Sequence, residues 1–331
     1  MSTDVLSDVL RAVRLTGAVY FSVEASAPFA AEAPAAREVA SRVLPGVEHV
    51  LEYHLVTEGS CWGGVIGETP TRLQAGDIIA FPRGDAHRLS SSPDPRGAVR
   101  MGLDGLPPNA RLPYQLRQGG GGARTRLVCG FLGCDVRPFN PLLSTLPRML
   151  HVSTREGGGW LGALAELAVT ESGERRTGGE SILSRASELM FVEVVRRHLD
   201  ALPEDRRGWL AGLRDPFVGR ALAALHGQPA RAWTVASLGK EVGLSRSALA
   251  ERFTHLIGEA PMQYLTRWRI QRAASLLRSR EVSVFEAASE VGYASEAAFS
   301  RAFKKVVGVP PAAWREGRRT PDAVSEARSP A

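Results

Sequence analysis

Three cysteines and two of the seven histidines are the residues whose types could support metal or redox chemistry. Cys129 and Cys134 are the first and last residues of the segment Cys-Gly-Phe-Leu-Gly-Cys. This segment predicts two thiols near each other in sequence, on a strand and the turn after it. Thiolates and imidazoles are preferred ligands of tetrahedral zinc, whereas two thiols beside a cation could form a redox pair. Packing in a core is the third interpretation. All three stay open for one candidate metal or redox site made of His54, Cys61, His87, Cys129 and Cys134.

Two members of this candidate site have simpler interpretations. Cys61 fits an ordinary small buried residue, and His87 fits an interior histidine as well as it fits a ligand. With only three cysteines in 331 residues, the chain does not have the composition of a disulfide scaffold.

Residues 47–136 contain short runs of β-type residues between glycines and prolines, which is typical of a barrel or a sandwich. The predicted strands cover residues 50–57, 62–66, 71–73, 77–81 and 126–131. Four successive glycines after Gln118 indicate a flexible loop.

From residue 141 the apolar residues recur at spacings of three and four, which predicts amphipathic helices over 142–150, 160–169 and 181–202. The apolar stripe of the last helix fits either packing in a core or pairing with a second chain. No stretch approaches the ~18–20 uncharged apolar residues that a membrane-spanning helix needs. Residues 1–15 lack the apolar core of a signal peptide, so we expect a cytoplasmic protein without a membrane partner.

Six residue pairs that lie 50 positions apart reveal an internal repeat near the C-terminus. They are Ser245/Ser295, Ala248/Ala298, Leu249/Phe299, Phe253/Phe303, Gly258/Gly308 and Pro261/Pro311. Each copy predicts a helix, a turn and a second helix. We expect the caps of these helices at Thr234, Ser245, Ser283 and Ser295, and their ends at Gly243, Gly258, Gly292 and Gly308.

The second helix of each copy, called the recognition helix below, is predicted to bury one apolar stripe and to leave a polar face outward. Such a face is what entry into the DNA major groove requires. The predicted inward residues are Ala248, Leu249, Phe253, Ile257, Ala298, Phe299, Phe303 and Val306. The predicted outward residues are Arg246, Ser247, Ala250, Glu251, Thr254, Glu296, Ala297, Ser300, Arg301 and Lys304.

The charge of the chain is concentrated in the same region. Between Gln228 and Arg315 lie 13 basic and 7 acidic residues, an excess equal to the net charge of +6 of the whole chain. Such asymmetry indicates a polyanion as the partner of this segment alone. A helix predicted over 262–279 separates the two copies; if rigid, it would place the recognition helices about 34 Å apart, one turn of DNA.

This C-terminal segment resembles the AraC/XylS family of bacterial transcription regulators over roughly residues 215–319. The resemblance is carried by Trp233-Thr-Val-Ala-Ser-Leu-Gly-Lys-Glu-Val-Gly-Leu-Ser and, most strongly, by Phe299-Ser-Arg-Ala-Phe-Lys-Lys with Gly308 and Trp314 after it. It implies two helix-turn-helix subdomains, usually of an activator, with base contacts from the outward residues. It also implies phosphate contacts from Arg252, Arg272, Lys304 and Lys305. In the first copy, Glu251 stands where Arg301 stands in the second, and a carboxylate repels phosphate but can accept from a cytosine amine.

Residues 76–87 follow the pattern Gly, five residues, Pro, one residue, Gly, two residues, His, which resembles the second cupin motif. Together with residues 53–59, the resemblance covers about 7–141 and implies the ligand-binding cupin domain of the same regulators. His54 is followed by Leu55 and Val56, so the His-x-His pair of a chemically competent cupin is absent. An intact site of three histidines and a carboxylate is therefore not expected. Residues 129–143 resemble a subgroup that includes a regulator responding to reactive chlorine, which implies oxidant sensing as one interpretation.

We therefore predict an α+β multidomain protein. Its parts are a cupin-like β-barrel sensor domain (1–140), a helical linker or dimerisation region (141–212), an all-α DNA-binding domain (213–316) and a disordered tail (317–331). The helix-turn-helix units of the DNA-binding domain are expected at about 234–257 and 283–306.

The predicted function is sequence-specific regulation of transcription by a homodimer that binds a double-stranded DNA operator and acts with RNA polymerase. Its signal would be a small ligand, a metal or an oxidant, with zinc as the candidate cofactor and no catalytic residue. A metal-dependent cupin enzyme with an accessory DNA-binding domain and a nonspecific architectural DNA-binding protein are the alternatives.

Overall fold

The computed structural model describes residues 3–95, 97, 99–100, 112–155, 160–174, 176–203, 205–278 and 282–316. The tail predicted at 317–331 lies outside the described residues. The helices are α1 (Val5–Ala12), α2 (Ala36–Val43), α3 (Pro141–Thr145), α4 (Trp160–Glu174), α5 (Gly179–Asp200), α6 (Trp209–Arg214), α7 (Val218–Gly227), α8 (Val235–Val242), α9 (Arg246–Ile257), α10 (Pro261–Arg278), α11 (Val284–Glu290), α12 (Glu296–Val307) and α13 (Pro311–Glu316). The strands are β1 (Thr16–Ser26), β2 (Ala30–Ala33), β3 (His49–Glu58), β4 (Ser60–Val65), β5 (Thr71–Gln74), β6 (Asp77–Phe81), β7 (His87–Ser90), β8 (Val99–Arg100), β9 (Tyr114–Gly119), β10 (Arg124–Cys134) and β11 (Leu150–Ser153).

Contacts between residues divide the chain into two compact units. The sheet unit consists of Arg14–Asp135 and Leu146–Ala201, and the helical unit consists of Met1–Val13, Val136–Thr145 and Leu202–Ala331. This division differs from the consecutive segments expected at 1–140, 141–212 and 213–316, because α1 and α3 contact the C-terminal helices. The chain therefore passes repeatedly from one unit to the other.

The sheet unit contains a six-stranded sheet in the order β11-β6-β3-β10-β1-β9 and a five-stranded sheet in the order β5-β4-β7-β2-β8. Most neighbouring strands are antiparallel, which suits strands joined by short turns. Both sheets contribute to one apolar core, with Val56 and Leu127 from the first and Leu73 and Leu89 from the second. The predicted α+β fold with a sheet-rich N-terminal domain is thereby confirmed, and β3, β4, β5, β6 and β10 match the five predicted strands.

Helices α4 and α5 pack against each other, and α5 lies across β1. The backbones of α5 and β1 approach so closely at Gly17 that an added Cβ would lie 2.6 Å from the carbonyl oxygen of Ser184. Leu183, Met190 and Val194 are buried within this unit. Most of the apolar stripe predicted on the last central helix therefore packs in the core of its own chain, whereas Ile182 and Leu189 are exposed.

The helix predicted over 142–150 is wrong in its second half. The chain forms only α3 there and then turns into β11, which pairs antiparallel with β6 at the edge of the sheet. Pro147 accounts for the difference, because proline has no N–H to donate and disfavours the helical conformation of the residue before it.

The helical unit holds the two predicted helix-turn-helix copies, α8–α9 and α11–α12. Thr234, Ser245, Ser283 and Ser295 all accept a backbone N–H at the start of a helix, so the four predicted N-caps are confirmed. Gly243, Gly258, Gly292 and Gly308 all have a positive φ, which explains glycine at these turns.

Helix α10 connects the two copies. It contacts α9 of the first copy and α11, α12 and α13 of the second, with Tyr264, Trp268 and Ile270 fully buried. Among the described helices, none has the combined length and apolar character that crossing a bilayer requires.

Candidate ligand site and nucleic-acid interface

Three buried side chains meet inside the sheet unit: Glu52, His54 and His87. Side chains alternate along a strand, so Glu52 and His54 of β3 point to the same face, and His87 begins β7 in the other sheet. His54 Nε2 lies 2.6 Å from His87 Nε2, and His87 Nε2 lies 3.7 Å from Glu52 Oε2. Sequence analysis did not select Glu52. The Glu-x-His spacing on a strand was the signal that could have identified it.

The hydrogen bonds define which ring nitrogens carry protons. His87 Nδ1 lies 2.9 Å from the carbonyl oxygen of Asp85, which can only accept, so Nδ1 donates and His87 Nε2 keeps its lone pair. His54 Nε2 must then donate to His87 Nε2. His54 Nδ1 and Glu52 Oε1 are buried without a hydrogen-bond partner among the described residues.

Burial favours the uncharged forms of these three groups near neutral pH. It raises the pKa of Glu52 to about 8 and lowers the pKa of His87 to about 4. Burial, together with the neighbouring His87, also holds the pKa of His54 well below its usual range. A neutral carboxyl group and two neutral imidazoles can donate and accept hydrogen bonds without presenting a charge.

The three residues of the cluster line a cavity of about 80 Å³. The rest of the wall is mostly apolar, with Phe21, Phe29, Leu89, Leu127 and Phe131 among its residues. The described lining contains no lysine or arginine. Such a wall favours a small molecule with an apolar body and one hydrogen-bonding group, because a buried anion would find no cation to pair with.

The same cluster fits a divalent cation by the chemistry of its donors. Two imidazole nitrogens and one carboxylate oxygen lie within 4.8 Å of one another, and the bond from His87 Nδ1 to the Asp85 carbonyl orients its other nitrogen inward. Nitrogens bound to one tetrahedral zinc stay about 3.3 Å apart, so the histidine pair would have to open by less than an ångström. Val56, which stands two residues after His54 where a His-x-His pair would have its second histidine, is packed in the apolar core.

The structure does not bring Cys129 and Cys134 together. Five residues along a strand put their side chains on opposite faces and separate them by roughly 16 Å. Cys129 lines the cavity next to His54, and Cys61 belongs to the same apolar core, whereas Cys134 lies at the far end of β10. The predicted zinc or redox pair of Cys129 and Cys134 is therefore corrected: these two thiols cannot share an ion or form a bond.

All three cysteines are buried, and none of them forms a disulfide. Burial raises the pKa of Cys61 and of Cys134 to about 12, and it raises that of Cys129 further. Since the thiolate is the reactive form, burial and the raised pKa values disfavour reaction with oxidants and favour packing of these cysteines as small apolar residues.

The two recognition helices, α9 and α12, present the polar faces that the sequence predicts. Most predicted outward residues are exposed: Arg246, Ser247, Glu251, Thr254, Glu296, Ala297, Arg301 and Lys304; Ala250 and Ser300 are half-buried. Lys305, predicted to contact phosphate, is also exposed. Leu249, Phe253, Phe299 and Phe303 are fully buried. Ala248, predicted to face inward, is exposed in the first turn of α9, because Leu249 and Phe253 define the buried stripe one residue later.

The basic side chains of this region differ in what they contact. Arg246, Arg301, Lys304 and Lys305 make no ion pair within the described part of the chain, so their charges are available to a partner. Arg252, which the family resemblance assigns to phosphate, instead pairs with Asp215, with Nη2 at 2.6 Å from Oδ2, and lies over the ring of Phe217. Arg272 lies 3.6 Å from Glu290.

Comparisons with known proteins cover both units. A family model described as cupin matches residues 4–200, and one described as a helix-turn-helix domain matches residues 238–317. A putative AraC-like transcription regulator from Streptomyces lividans is 36% identical over 269 residues, covering 81% of this chain and 87% of that protein. The RCS-specific HTH-type transcriptional activator RclR of Escherichia coli is 27% identical over 271 residues, 81% of this chain and 84% of its own. The DNA-binding domain of AdpA, a global transcriptional factor solved in complex with a target DNA, is 31% identical and matches 33% of this chain and 99% of that chain, with a TM-score of 0.31.

Proposed function

The chain belongs to the family of AraC-like transcription regulators, which makes it a DNA-binding regulator with a ligand-sensing N-terminal domain, and we propose how it recognises its signal and its operator. The signal is a small, uncharged, largely apolar molecule that enters the cavity of the sheet unit. The observation that carries this proposal is the combination of an apolar wall with the buried, uncharged cluster of Glu52, His54 and His87.

A ligand of this kind leaves no charge unpaired in the cavity. Its polar group would meet Glu52 Oε1 or His54 Nδ1, the two cluster atoms that lack a hydrogen-bond partner among the described residues. An oxidant signal has less support, because Cys61, Cys129 and Cys134 are buried thiols whose pKa values are raised.

Thermal unfolding with three matched probes tests the class of ligand. Phenol, benzoate and benzylamine share an aromatic body but differ in charge. Phenol should raise the Tm more than either ion, and the effect should disappear in the cavity-filling variant Ala31→Leu. Equal stabilisation by benzoate, or an unchanged phenol effect in Ala31→Leu, would exclude this cavity as a site for neutral ligands.

A divalent cation is the second candidate for the cavity, because the donors of Glu52, His54 and His87 converge. Zinc bound there would supply a Lewis-acid position facing the cavity. Elemental analysis of the purified protein should give one metal ion per chain for the wild type and none for His87→Ala. Cys134→Ser, distant from the cluster, serves as the control and should keep the metal.

Operator DNA is bound by the exposed faces of α9 and α12. In this proposal Arg246, Ser247, Ala250, Glu251, Glu296, Ala297, Ser300 and Arg301 contact base edges. Lys304 and Lys305 contact phosphates, and Arg272 can join them by exchanging Glu290 for phosphate. Arg252 forms an ion pair with Asp215, and it contacts a phosphate only if that ion pair breaks.

Selection of genomic fragments by the full-length protein tests whether the binding is specific. A regulator should prefer its selected site over random duplex by ~10³-fold or more. A ratio near one would instead indicate a nonspecific architectural protein.

Pairing of two chains is proposed for the face of α4 and α5 that points to solvent. Trp160, Leu167 and Val169 of α4 and Ile182 and Leu189 of α5 are all exposed, although each is apolar. A homodimer covering this face would act in the cytoplasm together with RNA polymerase. Sedimentation should show dimers for the wild type and monomers for Leu189→Glu; a dimeric variant would refute this interface.

A further inference from the structure

One buried side chain of the helical unit contacts two of the three segments that connect to the sheet unit. Gln271 of α10, only 1% exposed, donates from Nε2 to the carbonyl oxygen of Ala12 at 3.0 Å. Its Oε1 accepts the backbone N–H of Phe139 at 2.9 Å. A single amide therefore satisfies one group from the end of α1 and one from the segment 136–145.

These two segments continue directly into neighbouring strands of the sheet unit. α1 precedes β1, the segment 136–145 follows β10, and Thr16 of β1 lies opposite Gly133 of β10. Further along, the same two strands line the ligand cavity, through Phe21 of β1 and Cys129 of β10. The two segments that Gln271 holds by hydrogen bonds are thus joined covalently to neighbouring ends of β1 and β10, the strands that line the cavity.

Within the helical unit, the same two segments contact α10, the helix that separates the two recognition helices. The ring of Phe139 packs edge-on against Tyr264 at 5.4 Å, and the guanidinium of Arg267 lies 4.1 Å above it. Ser275, one turn after Gln271, donates a second hydrogen bond to the carbonyl oxygen of Ala12 at 3.0 Å. A displacement of Ala12 or Phe139 therefore acts on α10 itself.

Burial makes this arrangement sensitive to small displacements. If either segment moves away, the amide of Gln271 and its backbone partner lose their hydrogen bond where water does not replace it, which is strongly unfavourable. The contact is therefore either made or broken, as a two-state coupling element requires.

We propose that Gln271 is the positioning residue that couples occupancy of the cavity to the placement of α10, and so to the affinity for operator DNA. The inference rests on the proposed function of the two units. Coupling is reciprocal, so operator binding must change the affinity of the cavity for its ligand by the same factor that the ligand changes operator affinity. The cavity strands β1 and β10 are where we expect that change to be visible. This reciprocity allows a test in which DNA is the probe.

The test is amide hydrogen exchange of the full-length protein with and without a saturating amount of its selected operator duplex. In the wild type, operator binding should change the exchange rates of peptides from β1, β10 and residues 136–140 by about fivefold or more. In Gln271→Met, which keeps the length of the side chain but loses both hydrogen bonds, the change should fall below about twofold at equal saturation. Ser275→Ala, which removes one of the two donors to Ala12, should give an intermediate value.

A merely structural role of Gln271 predicts a different result. Gln271→Met would then lower operator affinity or Tm, but saturating operator would still alter β10 exchange as in the wild type. That result, or no response of β10 to operator in the wild type, would overturn the proposal. If Gln271→Met fails to fold, the test rests on Ser275→Ala: an intermediate change in exchange on operator binding supports the proposal, and a change equal to that of the wild type overturns it. Absence of any preferred operator for the wild type would refute the proposed function itself.

Discussion

Arg301→Ala should weaken specific DNA binding without lowering the free energy of unfolding of the protein. Arg301 is exposed on α12 and makes no ion pair with any residue that the structure describes, so its removal breaks nothing in the free chain. A bidentate contact between arginine and a base contributes about 1–3 kcal/mol of discrimination. The selected operator should therefore bind roughly 5- to 150-fold more weakly, whereas a scrambled duplex should lose much less.

Lys305→Ala is the matched variant on the same helix, because Lys305 is equally unpaired but is assigned to phosphate. Its loss should affect both duplexes alike and reduce the slope of log K against log salt by about 0.9. Fluorescence anisotropy with labelled operator and scrambled duplex, from roughly 50 to 200 mM salt, measures both effects.

Arg252→Ala supplies the control for structural damage. Since Arg252 pairs with Asp215, its substitution should lower the free energy of unfolding and leave the salt slope nearly unchanged. The reasoning about α12 is refuted if Arg301→Ala weakens the operator and the scrambled duplex by the same factor, because Arg301 would then contact only phosphate.

Three further predictions concern stability and reactivity. Burial, with Arg272 nearby, lowers the pKa of His226 to about 3, whereas its ordinary value is 6.5, so the unfolded chain binds the proton first. Stability should fall as the pH falls below 6.5, by about 2 kcal/mol at pH 5, and less in His226→Gln; urea unfolding at pH 7 and 5 measures the difference, and equal pH slopes would contradict it. Ser283→Ala removes a capping box with Glu286 and should lower the free energy of unfolding, measured in urea, by about 1 kcal/mol. The control Ser289→Ala, at an exposed position of the same helix that caps nothing, should leave it unchanged. Cys129 should react with a thiol reagent much more slowly in the native protein than in the protein unfolded in urea; equal rates in the two states would contradict its burial.

The helical unit was predictable because its signals are local. Caps such as Thr234 and Ser283, and the positive-φ turns at Gly243 and Gly258, act within one helix turn, so sequence spacing defines them. Because the segment is duplicated, the same cap and turn residues recur in both copies, and this recurrence supported the prediction for each copy. Pro147 is a local signal of the same kind, and the helix predicted over 142–150 failed because that residue was not weighed.

The cavity was less predictable because it depends on contacts between distant strands. His54 and His87 meet only through the register of two sheets, and that register also adds Glu52. The alternation of side chains separates Cys129 from Cys134, although they are close in sequence. The assignment of α1 to the helical unit depends on its contacts with α7 and α10, which no pattern within α1 indicates.

The central claim is that two recognition helices, spaced by α10, bind one operator together. Hydroxyl-radical footprinting of the full-length protein on its selected operator tests it most directly. For each bound chain we expect two protected segments about 34 Å apart on one face of the duplex, with the second segment lost in Arg301→Ala. Protection of a single segment in the wild type would contradict it.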